Sequence, residues 1–168
     1  EVIMPRTYID RQNGRNKQAS AIAVSAGAPD ANKIVGTGAD GKLDASLLPN
    51  GIGQDVQSFV ASEAISGGAL INIHAGGMRN ADATAEGREA NGFVLAGVAN
   101  GASGNVYFDG TISGLAGLTV GSRYYMSETA GELTAVPVAG TGKVDQCVGV
   151  ATSATTLSFE PEDPITLA

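Results

Sequence analysis

The sequence predicts an all-β protein, a sandwich or small β-barrel that follows an extended, largely irregular N-terminal arm. Three observations carry that expectation. Glycine contributes 24 of the 168 residues, about twice its usual share. After Gly53 no stretch of a dozen residues keeps a 3.6-residue apolar period without a glycine, whereas short β-branched or aromatic runs recur. Turn-forming pairs separate those runs, namely Gly67-Gly68, Gly76-Gly77, Asn100-Gly101, Ala130-Gly131 and Thr152-Ser153, at the spacing of a sandwich or barrel.

Composition narrows the function classes. Leu, Ile, Val and Phe make up little more than a fifth of the chain, enough for one modest core. A single cysteine cannot form an internal disulfide. No apolar run approaches the roughly 20 residues of a membrane helix, which excludes a membrane-spanning helix and a membrane partner. The net charge of −7 argues against direct nucleic-acid binding, because phosphate recognition needs clustered Lys and Arg. That charge is uneven: residues 1–50 carry six basic against five acidic residues, and residues 51–168 carry four against twelve. The run Leu48-Pro49-Asn50-Gly51-Ile52-Gly53 combines a helix stop with turn dipeptides. It divides an arm and linker, residues 1–53, from a β-domain, residues 54–168.

From Pro5 to Lys17 the arm is polar and basic, with Tyr8 and Ile9 as its only apolar anchors. Such a segment cannot offset its own ordering entropy and is expected to stay extended or disordered until something binds it. Ala26-Gly27-Ala28, after a weakly apolar stretch, imitates a secretory cleavage site, but Ser20 and Ser25 interrupt the apolar part, so retention of the segment is expected. Further on, Ile34-Val35 reads as a short extended piece. Gly36-Thr37-Gly38-Ala39-Asp40-Gly41 matches G-x-G-x-x-G, yet Pro49 limits the following helix to about one turn, capped by Asp44. That is too short to hold a dinucleotide pyrophosphate, so a turn is expected. Asp40 and Asp44 also lack the ligand register and closing Glu of a calcium loop.

In the body, strands are expected near Val56–Ser62, Ala69–His74, Phe93–Ala99, Asn105–Asp109, Arg123–Ser127, Glu132–Ala135, Cys147–Ala151 and Thr155–Phe159. A faint internal duplication accompanies them. Gly97-Val98-Ala99 followed by Ala102, Val106 and Phe108 resembles Gly149-Val150-Ala151 followed by Ala154, Leu157 and Phe159, and LINIHAGGMRNA resembles YYMSETAGELTA. Two halves of roughly fifty residues, each a set of hairpins, follow from that similarity. Alternation nominates Val56, Phe59, Leu70, Ile73, Val94, Val98, Val106, Phe108, Tyr124, Met126, Val148, Val150, Leu157 and Phe159 for the core.

Catalytic chemistry has no visible carrier, and the chain is not expected to be an enzyme or to need a cofactor. His74 is the only histidine and has no Cys, Asp or Glu at ligand spacing, so a metal site is not expected and a turn-edge position is. Cys147 lies in an apolar strand without a base or cationic neighbour, and reads as packing volume. Glu86 with Glu89, and Glu160 with Glu162 and Asp163, are local clusters flanked by glycine or proline, unlike carboxylates facing each other across a cleft. G-x-S-x-G, H-E-x-x-H and P-loop patterns are absent.

KIVGTGADGKLDASLLP resembles a linker of tailed-bacteriophage virion proteins. GTISGLAGLTVGSRYYMSETAGELTA and QCVGVATSATTLSFEP resemble a small β-domain of phage capsid decoration (cement) and head-fibre proteins, over residues of about 56–160. The resemblance implies a β-barrel or β-tulip and a structural virion protein on the outer surface of the capsid, where it cements the major capsid protein. It also implies a homotrimer, with a dimer as the other closed option. In that setting Arg6, Arg11, Arg15 and Lys17 are expected to make ionic contacts with the capsid, with Tyr8 and Ile9 as apolar anchors. The alternative is a tail-fibre or head-fibre module that binds host surface carbohydrate, but Tyr107, Tyr124 and Tyr125 lie on expected strands, where alternation exposes only some of them.

Overall fold

A computed structural model describes residues 7–48 and 55–168. The chain divides into two compact units, Glu1–Gly53 and Gln54–Ala168. Both are built from β structure: the described residues contain fourteen strands, paired antiparallel, and two single-turn 3-10 helices.

In the first unit, β1 (Thr7–Gln12) and β2 (Arg15–Ser20) form a hairpin. Asn13 and Gly14 join them with φ of 51° and 74°, the left-handed pair that a two-residue type I′ turn requires. This corrects the expectation of an irregular arm between Pro5 and Lys17. The strands lack a core, but a tight Asn-Gly turn matches their twist and closes the ladder with little loop entropy to overcome. Pro5 and Arg6 lie outside the described residues. Farther along, Ile22 and Val35 form a parallel bridge, with the Ile22 N–H donating to the Ile34 carbonyl at 2.9 Å. The G-x-G-x-x-G run is a turn, in which the Gly38 N–H reaches the Lys42 carbonyl at 2.7 Å. One 3-10 turn, Ala45–Leu47, follows, and Asp44 accepts the Ser46 N–H at 2.9 Å as its cap. None of this unit's described residues is buried.

The second unit holds two five-stranded sheets. One comprises β3 (Val56–Val60), β4 (Leu70–His74), β5 (Gly77–Asn80), β6 (Gly92–Phe93) and β7 (Ser103–Tyr107), in the order β3-β7-β6-β4-β5. The other comprises β8 (Gly110–Ser113), β9 (Arg123–Met126), β10 (Leu133–Thr134), β12 (Cys147–Ala151) and β13 (Thr156–Phe159), in the order β8-β13-β12-β9-β10. A small ribbon pairs β11 (Val144–Asp145) with β14 (Ile165–Thr166). Each expected strand region overlaps a strand, although Phe93–Ala99 keeps only Phe93, in β6, and Glu132–Ala135 keeps only Leu133–Thr134.

The two sheets share one topology, so the duplication is structural. Register identifies the equivalent residues. Val94 and the pair Gly68-Ala69 exchange the Val94 N–H to Ala69 O and Gly68 N–H to Val94 O bonds, at 3.1 and 2.8 Å. Ala151 and the pair Gly121-Ser122 exchange the same two, at 3.0 and 2.8 Å. Gly92 therefore corresponds to Gly149, and Phe93 to Val150. Val106 and Phe108 correspond to Leu157 and Phe159, as the sequence similarity has them. Its placement of Gly97-Val98-Ala99 on Gly149-Val150-Ala151 is corrected by five residues, because the connection from β6 to β7 is longer than that from β12 to β13.

Alternation sets two cores. Ile71, Met78, Val94 and Val106 line the inner face of the first sheet with Phe59, Ile65 and Val98. Leu70 and Phe93, on the opposite face of that sheet, pack with Ile112, Tyr124, Met126, Leu157 and Phe159 on the inner face of the second. The Phe93 and Phe159 rings meet edge to face at 5.2 Å. The first repeat thus uses its outer face to cover the second repeat's interior. On the second repeat the positions equivalent to Leu70, Phe93 and Tyr107 are Arg123, Val150 and Ser158, a surface of smaller and polar side chains that ends the stack. This explains why Val150, an expected core residue, is 38 % exposed. A bulge between Cys147 and Gly149 shifts the register, which leaves Val148 fully buried. Val56, also expected inside, is 44 % exposed on an edge strand.

Among the described residues no sheet closes into a barrel. In the first, the edges β3 and β5 are joined only just beyond β3, at a parallel Ala61–Met78 bridge with the Ser62 N–H donating to the Met78 carbonyl at 2.9 Å. The described residues contain no such bridge between the edges of the second sheet.

Candidate functional site

Two surfaces stand out, one in each unit. On the hairpin, Tyr8 pairs with Ala19, Asp10 with Lys17, and Gln12 with Arg15. Directly paired residues share a face, so Tyr8, Arg15 and Lys17 lie together on one side with Asp10. Ile9 and Arg11 lie on the other, opposite Gln18 and Asn16. The expected contact set is thereby split, two cations with the tyrosine and one with the isoleucine, while Arg6 is outside the described residues. Ile9 is 68 % exposed, and Arg11, Arg15 and Lys17 are exposed as well. Both strands are edge strands of a two-stranded sheet, the arrangement that accepts a further strand from another chain.

In the second unit a groove of about 590 Å³ opens between the segment after β8 and the turn into β10. Leu115 and Leu118 form one wall, Gly131, Glu132 and Leu133 the other, and Gly67-Gly68 part of the floor. Glycine is needed at the floor and wall. Gly68 and Gly131 adopt φ of 82° and 79°, and a Cβ on Gly131 would approach the Asn80 side chain to 2.7 Å. Two polar side chains of the lining are already engaged: Asn80 donates to Glu63 Oε1 at 2.9 Å, and the Tyr124 hydroxyl accepts the Thr119 N–H at 2.9 Å. Glu132 is the only charged lining residue. The sequence marks Gly67-Gly68 and Ala130-Gly131 as turns but does not bring them together. The available signal is the duplication, read for where its halves differ in length.

The buried polar groups hold loops in place. Gln146 accepts the Ala90 N–H at 2.8 Å and returns its amide to the Ala90 carbonyl at 3.2 Å, copying a strand pairing with a side chain. Asp82 takes the Arg88 guanidinium at 2.5 Å together with the Thr84 amide and hydroxyl. Burial raises the Asp82 pKa, but the Thr84 hydroxyl and amide and the Arg88 guanidinium outweigh it and hold the carboxyl below its ordinary value. His74 is exposed at the end of β4, and Cys147 is buried in β12. Glu162 pairs with Arg123 at 2.8 Å on the surface. Among the described residues no group of three or more His, Cys, Asp or Glu side chains is placed to hold a metal ion. No protein-family model and no curated protein matches this chain.

Proposed function

We propose that this chain is a structural virion protein, a capsid decoration or cement protein that binds the outer surface of the major capsid protein shell of a tailed bacteriophage and stabilises the head. The sequence resemblance supplies the class, and one structural observation supports the attachment: the N-terminal unit presents a basic hairpin with an exposed isoleucine in mid-strand, while none of its described residues is buried. An isolated two-stranded hairpin is marginal in water, so it gains order from a surface to lie on. In this reading one face sets Ile9 in an apolar notch with Arg11 on an acidic group of the shell, the other offers Tyr8, Arg15 and Lys17 to a neighbouring shell subunit, and strand addition runs along either hairpin edge. Trimerisation, the symmetry the resemblance implies, would present three hairpins at once and convert modest contacts into lasting attachment through local concentration.

The test is occupancy on purified, tailless, DNA-filled heads. The 168-residue protein is expected to co-sediment with them, and a chain lacking residues 1–20 to be lost on washing. Equal occupancy of the two removes the hairpin's role. Heads without the protein that resist heat and osmotic shock as well as decorated ones remove the cement role. Co-sedimentation with tails alone favours the fibre alternative.

A further inference from the structure

The two repeats differ in one respect that creates the groove. In the first repeat, Ser58 pairs with Asn105 before the chain reaches the Ser66-to-Ala69 turn. In the second, Ser113 pairs with Thr156 before the equivalent Thr119-to-Ser122 turn. The second connection is two residues shorter. The first one reaches across and lays Ala61 beside Met78, where the Ser62 N–H bonds the Met78 carbonyl. The second cannot reach, and Leu133, the counterpart of Met78, lines the open groove instead. Its main chain points that way. Tyr125 on β9 and Ser127 just beyond it are the bonded partners, since the Ser127 N–H donates to the Glu132 carbonyl at 3.0 Å and the Met126 N–H turns to the Gln146 carbonyl at 3.0 Å. In an antiparallel ladder the intervening pair, Met126 with Leu133, directs its N–H and C=O outward.

We propose that this groove accepts an extended peptide strand from a partner chain, which takes the place that Ala61-Ser62 occupies in the first repeat and bonds the Leu133 main chain. The chemistry of the occupant follows from the lining. The glycine floor and the two leucine side chains of the opposite wall leave room for small or branched apolar side chains. The lone carboxylate, Glu132, calls for a basic residue on the strand, and the surrounding unit, with twelve acidic against four basic residues beyond residue 50, favours a cationic segment. Main-chain pairing then supplies affinity, and the glycine floor and Glu132 supply selectivity. This inference does not depend on the cement assignment, because it concerns any chain with such a segment.

The probe is the hexapeptide Lys-Val-Ala-Ser-Val-Lys, built around Val60-Ala61-Ser62 of the first repeat, titrated into the 168-residue protein and followed by amide shifts. Expected are saturable shifts confined to the amides of residues 115–118 and 131–134. Leu133→Pro removes the outward N–H at an edge position that tolerates proline, and is expected to weaken binding by about 5-fold, the value of one such bond. Glu132→Lys is expected to weaken it by roughly 2–5-fold, with the loss abolished when the peptide lysines are replaced by norleucine. An insertion of Ala-Ser after Leu115, restoring the length of the first repeat, is expected to close the groove and abolish binding. Absence of groove shifts at millimolar peptide, or undiminished binding to the Leu133→Pro and insertion proteins with their sheets intact, overturns the proposal. Head occupancy is untouched by these measurements, so the two proposals fail separately.

Discussion

Gly92 and Gly149 occupy equivalent positions, and both are required by close main-chain approach. A Cβ at Gly149 would lie 1.9 Å from the Ser158 carbonyl oxygen, and one at Gly92 would lie 2.6 Å from the Tyr107 carbonyl oxygen. Neither neighbour can rotate away, because both are strand backbone. Gly149 also adopts φ of 149°. Gly149→Ala is therefore expected to cost about 3 kcal/mol or more, and Gly92→Ala about 2 kcal/mol; the shift in urea midpoint at constant slope measures each, and equal shifts would contradict the ranking. Asp82 makes a pH-dependent contribution whose sign follows from its lowered folded pKa. Stability from this group is present above the unfolded carboxylate value and is lost as pH falls below about 4 through the folded value. Asp82→Asn is expected to lower stability by about 1.5–3 kcal/mol at pH 7 and by much less at pH 2. A penalty that stays constant with pH would show that shape, not charge, sets the role of Asp82.

At the scale of elements, the hairpin rests on its turn. Asn13-Gly14 is a strong local signal, and the polar composition on either side obscures it because composition reports burial while turn chemistry reports chain direction. Gly14→Val places a branched side chain at φ of 74°, which costs about 1–2 kcal/mol in a ladder with no core beneath it. The expected outcome is loss of the NMR contacts across the Ile9–Gln18 and Asp10–Lys17 pairs, with the contacts of β3 to β13 unchanged; persistence of the hairpin contacts would mean that something besides the turn holds it. The strands β4, β7, β9, β12 and β13 are legible because each carries its own apolar alternation. The two-residue strands β11 and β14 are not, since a ladder of two rungs depends on what the neighbouring strand offers. The bulge in β12 is equally silent in sequence, and it decides that Val148 is inside and Val150 outside.

For the molecule as a whole, the duplicated topology gives each sheet its own interior and then stacks the outer face of the first on the interior of the second. Leu70 and Phe93 are fully buried by that stacking, while Arg123 and Val150 at the matching positions meet solvent and end it, as a terminal repeat does in longer arrays. Of the candidate surfaces, the cations of the arm are visible in the sequence, whereas their division between two hairpin faces and the groove between β8 and β10 are not. The sequence alone determines the all-β class, the turn positions, the charge contrast before and after residue 50 and most of the core, because these depend on propensity and alternation within a few residues. Only the tertiary structure decides the hairpin's pairing, the failure of the sheets to close and the existence of the groove, because strand register and the reach of a connection couple residues far apart in the chain, and two missing residues there change which main-chain groups find partners.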